Sequence, residues 1–200
     1  AYARQLPKPG CSTLEAYTRG FNYPPESDIK DYGDLPKLGL KTFFCSNVCA
    51  MYDRKVYEEL GGFVTHTIFN EDMIYAAGLI EAGYSIAYAA DAQVYHSHNY
   101  GCIAQMKRNF DLGVSQVQYP EIFEKYPSEG EGIRMVRQTA AYVCRIQRPW
   151  LLVPLFFQSG FKYLGYLLGK NYQRLPRGVI RHCTMNRNWW KFPARKRRKR

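Results

Sequence analysis

FNEDMIYAAGLIEAGYSIAYAADAQVYHSHNY, residues 69–100, is the stretch whose reading decides how this chain folds. Met73, Ile74, Ala77 and Ile80 recur three or four residues apart, so they make the apolar face of one helix, which Gly83 ends. Asn70 is a good N-cap for that helix, with Glu71 and Asp72 in its first turn. SIAYAA (85–90) reads as a strand, and AQVYH (92–96) as a second strand or its continuation. A helix that feeds a strand with a polar far end is the grammar of an α/β sheet. Polar groups beyond such a strand end commonly line a site.

Two features of the stretch carry chemistry. Free backbone N–H groups and the dipole at a helix start favour an ionised carboxylate at Asp72. A positioned carboxylate of that kind accepts a proton from an attacking alcohol. Taken alone, Glu71 and Asp72 would do no more than stabilise the helix start. His96 and His98 lie on one side of the chain if the strand continues, because side chains alternate with period two. Both could then face a metal or a phosphate, against the plainer reading of a surface or hydrogen-bonded pair. His66 and His182 have no such setting and read as structural.

Working outward, KTFFCSNVCAMY (41–52) is apolar and β-prone enough for a buried strand ending near Ser46–Asn47. Asp53 caps a helix through Arg54–Leu60, which Gly61 and Gly62 stop. Residues 1–41 hold QLPKPG, NYPPES and DLPKLG, which predict an irregular connection with one short helix near Thr13–Arg19. Beyond Tyr100 the periodicity is helical over 102–118 and 133–147. PWLLVPLFFQSGFKYLGYLLG (149–169) is the most apolar stretch, but Pro154, Gln158, Ser159 and Lys162 interrupt it. It reads as a membrane-surface or re-entrant helix rather than a span, with a buried helix of the same domain as the alternative. RKRRKR (195–200) reads as a disordered basic end.

Charge divides the chain of 200 residues sharply. Residues 1–132 carry 11 Lys/Arg against all 17 Asp/Glu, whereas residues 133–200 carry 17 Lys/Arg and no acid. A basic half of this kind faces an anionic surface, nucleic acid or phospholipid. The six cysteines form no Cys-x-x-Cys pair. A zinc cluster of Cys45, Cys49, Cys102 and a histidine matches no zinc module well, so reduced, partly buried thiols are expected. With Ala1 first and no signal peptide, the chain reads as processed or cut from something longer.

The order of motifs narrows the field. SN closes a strand, YDRKVYEELGGF follows, then NED opens a helix, then GY, then VYH. In that order residues 1–100 resemble the inverting family-2 glycosyltransferases, which have the GT-A (Rossmann-like) fold. The resemblance implies Asp72 as catalytic base and Glu71 as its helper. It implies an acceptor cleft at Ser46, Asn47, Gly61 and Gly62, and His96 and His98 as ligands of a divalent cation, Mn or Mg. ARQLPKP, FNYPPES, KTFFCSNVCAMYDR and VYHSHNYG look most like the rhamnosyltransferase branch, and KYLGYLLGKNYQRLP and NWW like its membrane-associated end. That branch implies a nucleotide-sugar donor such as dTDP-rhamnose, a lipid-linked saccharide acceptor, and surface-polysaccharide synthesis at the cytoplasmic face of the membrane.

The chain departs from the family in one respect. The nucleotide-binding half should precede residue 1, and no Asp-x-Asp occurs in the sequence. The expectation is therefore a C-terminal piece, inactive by itself. Residues 1–101 would be the acceptor and catalytic half, 102–194 a helical membrane-associating region, and 195–200 the tail. The competing readings are a basic nucleic-acid-binding module, with Trp189 and Trp190 near the basic end, and a non-catalytic membrane adaptor. Against the first, the basic residues interleave with a long apolar stretch and no recognition motif appears, so no nucleic-acid partner is expected.

Overall fold

The computed structural model describes residues 1–127 and 129–191; the basic run 195–200 lies outside them. A three-stranded sheet in the order β1-β3-β2 anchors the N-terminal half. β3 (Ile86–Tyr95) is central. β1 (Tyr2–Leu6) pairs with it in parallel, from Tyr2 opposite Tyr88 to Leu6 opposite Tyr95. The register shifts between Ala3 and Arg4, where β3 carries extra residues. β2 (Asp28–Lys30) pairs antiparallel on the other side. SIAYAA and AQVYH are thus one continuous strand.

Two expectations for the first fifty residues are corrected. The Pro-rich start is not irregular throughout, since it supplies both outer strands. These are five and three residues long and bounded by Pro, Gly and polar groups, too short for a periodic signal. KTFFCSNVCAMY is not a strand. Gly39–Phe43 form a 3₁₀ helix, and the rest is extended chain touching the sheet through one bridge, Ala50 to Tyr2. A short apolar run does not by itself distinguish strand from buried helix. Here Leu40, Thr42 and Phe43 are buried on the 3₁₀ turns.

Helices pack against this sheet. α1 (Thr13–Asn22) starts at Ser12, whose hydroxyl accepts the Glu15 N–H at 3.2 Å. A single turn, α2 (Leu35–Leu38), leads into the 3₁₀ segment, and α3 (Arg54–Glu59) is capped by Asp53 as predicted. α4 (Glu71–Glu81) buries Ile74, Ala77 and Ile80 against Phe43, Ile86 and Tyr88. α5 (Cys102–Gln118) is followed by one turn, α6 (Pro120–Phe123), whose Ile122 and Phe123 join that same core. α7 (Glu129–Arg145) packs on α1, with Tyr142 stacked on Tyr17 at 4.4 Å between ring centroids.

The C-terminal half is built on one helix pair. α8 (Leu152–Lys170), entered through a 3₁₀ turn at Pro149–Leu151, has its most extensive contact with α5. The approach requires Gly165 and Gly169, where a Cβ would run into the carbonyl oxygens of Met106 and Phe110. α9 (Arg177–Cys183) closes a second core around Phe110, Val114, Ile180 and Cys183. Asp111 then ties the following turn down. Its carboxylate accepts the Thr184 hydroxyl at 2.6 Å and the Met185 and Asn186 N–H groups at 3.0 and 3.3 Å.

Candidate functional site

The parallel pair β1 and β3 runs its carboxyl ends to the same edge, where Gln5, Leu6 and His96 come together. Such an edge is where an open α/β sheet presents its side chains to ligands. Two groups of residues meet there, one acidic and one basic, with Ser46–Asn47 at the junction.

The acidic group stands at the start of α4. Asn70 does not cap that helix with its side chain, contrary to expectation. It takes left-handed backbone, φ 64°, and its Nδ2 donates to the buried Ser115 hydroxyl on α5 at 2.8 Å. The helix start is thereby fixed from a neighbouring element. Asp72 Oδ1 accepts the Met73 N–H at 2.8 Å, and Oδ2 accepts the Asn47 N–H at 3.3 Å. Asn47 Nδ2 donates to Glu71 Oε1 at 3.4 Å, and the Tyr52 hydroxyl donates to Asn47 Oδ1. Asn47 therefore holds both acids while Tyr52 holds Asn47. Burial raises the Asp72 pKa above the usual aspartate value, and the Glu71 charge adds to this, against the backbone N–H groups of Met73, Asn47 and Asp72 itself. The helix start favours the ionised form, but desolvation outweighs it, which brings the group closer to a base usable near neutrality.

Gly61 and Gly62 stand apart from these acids. Both have positive φ and close α3, with the Gly62 N–H donating to the Tyr57 carbonyl at 2.8 Å. A Cβ on Gly62 would strike the Tyr57 ring. Their link to the acids runs through that ring, which packs in a cluster with Tyr52, Phe63 and Tyr75.

The basic group lines a polar cleft between β1, α1, the end of β3, α5 and α8. Ser46 Oγ accepts from Gln5 Nε2 at 2.7 Å and also bonds the Tyr23 hydroxyl. Gln5 Oε1 accepts from Arg19, which is paired with Glu15 at 2.8 Å. Arg108 stacks over Phe69 at 4.6 Å, and Lys162 enters from α8. The rings of His96 and His98 meet edge-on at 4.4 Å, and Tyr100 stacks on His98. Burial lowers both histidine pKa values, and Arg19, Arg108 and Lys8 lower them further. Both imidazoles are thus biased towards the neutral form.

A neutral imidazole pair can ligate a metal, but the setting fits a cation poorly. No group of three or more His, Cys, Asp or Glu able to hold a metal occurs among the described residues, and three cationic side chains share the cleft. Cys45, Cys49 and Cys102 do not cluster either; all six cysteines are free thiols. His66 stacks on Trp189, and His182 Nδ1 contacts the Gly178 carbonyl within its own helix.

Gln5, Arg19, Arg108 and Lys162 carry no motif and were not expected at the site. For Lys162 a signal existed in the sequence. A lone charge inside an apolar helix needs a partner or a purpose, and the interruption that argued against a membrane span is the residue that reaches the cleft.

No protein-family description matches the chain, and no solved structure does. Two curated proteins do. The chain is 42% identical over 189 residues to the O-antigen chain rhamnosyltransferase RfbN of Salmonella typhimurium, covering 94% of this chain and 60% of that protein. It is 42% identical over 189 residues to the O-antigen chain rhamnosyltransferase WbaN of Salmonella anatum, covering 94% of this chain and 59% of that one. The chain spans about three fifths of the length of these relatives, and the similarity runs along 94% of this chain.

Proposed function

We propose that this chain is the acceptor-and-base part of an inverting, GT-A-type family-2 rhamnosyltransferase that builds a surface polysaccharide. The observation that carries the proposal is the 42% identity over 94% of the chain to two proteins named as O-antigen chain rhamnosyltransferases. The site supports it with a half-buried carboxylate whose pKa is raised, beside a cleft rich in cations. In the proposed reaction an acceptor-saccharide hydroxyl attacks the anomeric carbon of a nucleotide-linked rhamnose, such as dTDP-rhamnose. Asp72 removes the hydroxyl proton as the carbon–oxygen bond forms and the nucleoside diphosphate leaves on the opposite face. Asn47 and Glu71 orient Asp72, and Ser46 lines the path of the acceptor. The diphosphate leaves as an anion and needs no protonating acid, unlike the leaving oxygen in glycoside hydrolysis. A role for Mn or Mg belongs to the proposal only where a longer chain adds acidic ligands to His96 and His98.

The lipid-linked acceptor and the cytoplasmic membrane face belong to the same proposal. Pro149–Lys170 is long and apolar enough to cross a bilayer by length and composition, and little of it is buried. Phe156, Phe157, Tyr163 and Leu167 are exposed along one side of α8, while the opposite side packs on α5 through Gly165 and Gly169. A helix half committed to protein lies on a membrane more readily than it crosses one.

Sugar transfer by the full-length protein, with Asp72→Asn as the variant, tests the reading. Turnover should fall by about 10²–10⁴-fold, as for loss of a general base, with donor binding retained. Wild-type turnover with an unchanged pH profile would return Asp72 to a helix-start role.

A further inference from the structure

We propose that Asn70 and Ser115 are positioning residues for the Asp72 carboxylate, and that through them the helices after Gly101 form part of the transfer site rather than only its tether. The role in transfer rests on the rhamnosyltransferase reading above. The segment 66–70, which leads into α4, is held by those helices along its length. The His66 ring stacks on Trp189 at 5.3 Å, and the His66 carbonyl accepts the Tyr119 hydroxyl at 3.0 Å. Ile68 packs into the second core around Phe110 and Val114. Phe69 lies beneath the Arg108 guanidinium. Asn70 then donates to Ser115 on α5, a hydrogen bond between two buried side chains.

That last bond is where the anchoring reaches the acid. Asn70 takes left-handed backbone, φ 64° and ψ 21°, so the chain turns sharply there and α4 begins at Glu71. Asparagine visits this conformation more readily than most residues with a Cβ. Its side chain is a usual N-cap acceptor, yet it makes no cap bond here. It is spent on Ser115, whose own hydroxyl donates to the Leu112 carbonyl at 2.8 Å. An apolar pair of the same shape would pack as well. What it would lack is a directed bond that fixes the turn. The Asn70 carbonyl accepts the Ile74 N–H at 2.9 Å, and Asp72 lies inside that first turn. A shift of Asn70 therefore moves Asp72 with it. Misplacing a reacting group by about 1 Å costs on the order of 100-fold in rate.

On its other side Asp72 meets the N-terminal half. Its Oδ2 accepts the Asn47 N–H, and its carbonyl accepts from the Cys45 thiol at 3.4 Å. Asn47 thus orients the carboxylate, and Ser115 sets where its helix turn stands. The ionisable groups around Asp72 are Glu71, Cys45, Tyr23 and Tyr52. Burial pushes the thiol and both phenols up, so these three stay neutral and Glu71 supplies the neighbouring charge.

Two readouts keep this role separate from the transferase reading. In the 200-residue chain, NMR with carboxyl-labelled aspartate follows Asp72 through pH, its signal assigned by its loss in Asp72→Asn. Burial holds that pKa above the usual aspartate value, so a first turn that slips and admits water should let the midpoint fall. Ser115→Ala removes the acceptor. Asn70→Gly removes the donor and keeps the left-handed backbone. Both should lower the midpoint. In the full-length protein both should lower kcat by about 10–100-fold with the KM for the donor little changed. The double variant should be no worse than the worse single one, because each removes the same bond. Val143→Ala opens a buried site on α7, which packs on α1 and α8, and controls for lost stability. It should move neither readout. Thermal melts establish folding, and if Ser115→Ala does not fold, Asn70→Gly carries the test. Midpoints that fall while the full-length wild type transfers no rhamnose refute the transferase reading and leave the positioning in place. Unchanged midpoints in the folded variants, wild-type turnover in both, or equal effects from Val143→Ala overturn the proposal.

Discussion

Two aspartates show how the same side chain serves different ends. Asp111 is buried to 3% exposure and accepts three hydrogen bonds from the turn after α9. Asp111→Ala strands the buried Thr184 hydroxyl and the Met185 N–H, while the Asn186 N–H keeps Thr184 Oγ1 at 3.0 Å; each buried group left unpaired costs about 1–3 kcal/mol. The melting temperature should drop by many degrees, and Asp111→Asn should recover only part of it. Asp72 has fewer partners and a raised pKa caused chiefly by burial. A carboxyl with its folded pKa above the unfolded value of 3.8 binds protons more tightly when folded. Its ionisation therefore costs stability as pH rises through that window. Asp72→Asn removes the cost, so the variant should gain on wild type in chemical denaturation as pH rises from about 4. A constant difference across pH would place the carboxyl in a solvated setting. The acids at 71 and 72 were legible in the sequence because a helix start is a local pattern. Arg19, Arg108 and Lys162 were not, because what unites them is a cleft closed between residues 19 and 162.

At the scale of elements, legibility followed length. α4, α5 and the continuous strand β3 have periodic faces ten or more residues long, and their extents agree with the pattern. β1 and β2 are defined instead by pairing with β3, which no local period reports. The 3₁₀ helix at Gly39–Phe43 replaced a predicted strand because Phe43 and Leu40 find their apolar contacts without a ladder. The α5–α8 contact depends on small residues at three sites, Gly113, Gly165 and Gly169, where backbone meets backbone. Gly165→Ala inserts a methyl group against the Met106 carbonyl, and overpacking of this kind costs about 1–3 kcal/mol. The melting temperature should fall accordingly. Gly160, where an added Cβ would meet nothing within 4 Å, is the matched control, and Gly160→Ala should raise the melting temperature slightly through the helix-propensity gain of about 0.5–1 kcal/mol.

For the whole molecule the charge division acquires a geometry. The acidic half, residues 1–132, forms the sheet and the start of the helical half, whereas the basic half surrounds α8. Arg145 and Arg148 precede that helix, Lys170 ends it, and Arg174, Arg177 and Arg181 follow it. An apolar exposed face with cations at both ends suits the boundary of an anionic bilayer, where each near-surface Lys or Arg contributes about 1 kcal/mol. The aromatic residues Phe156 and Phe157, exposed at 73% and 53%, would enter the acyl boundary, and the flanking cations would stay among the headgroups. The two contributions separate experimentally. The protein should float with vesicles containing phosphatidylserine and float less as salt rises. Phe156→Ser with Phe157→Ser should weaken flotation at low salt, abolish it at high salt and leave the fold intact, since both side chains are largely solvent-exposed. Flotation unchanged by that double substitution would move the contact away from α8. The basic residues would then have to act alone, as they would on a nucleic acid, and oligonucleotide should displace the vesicles.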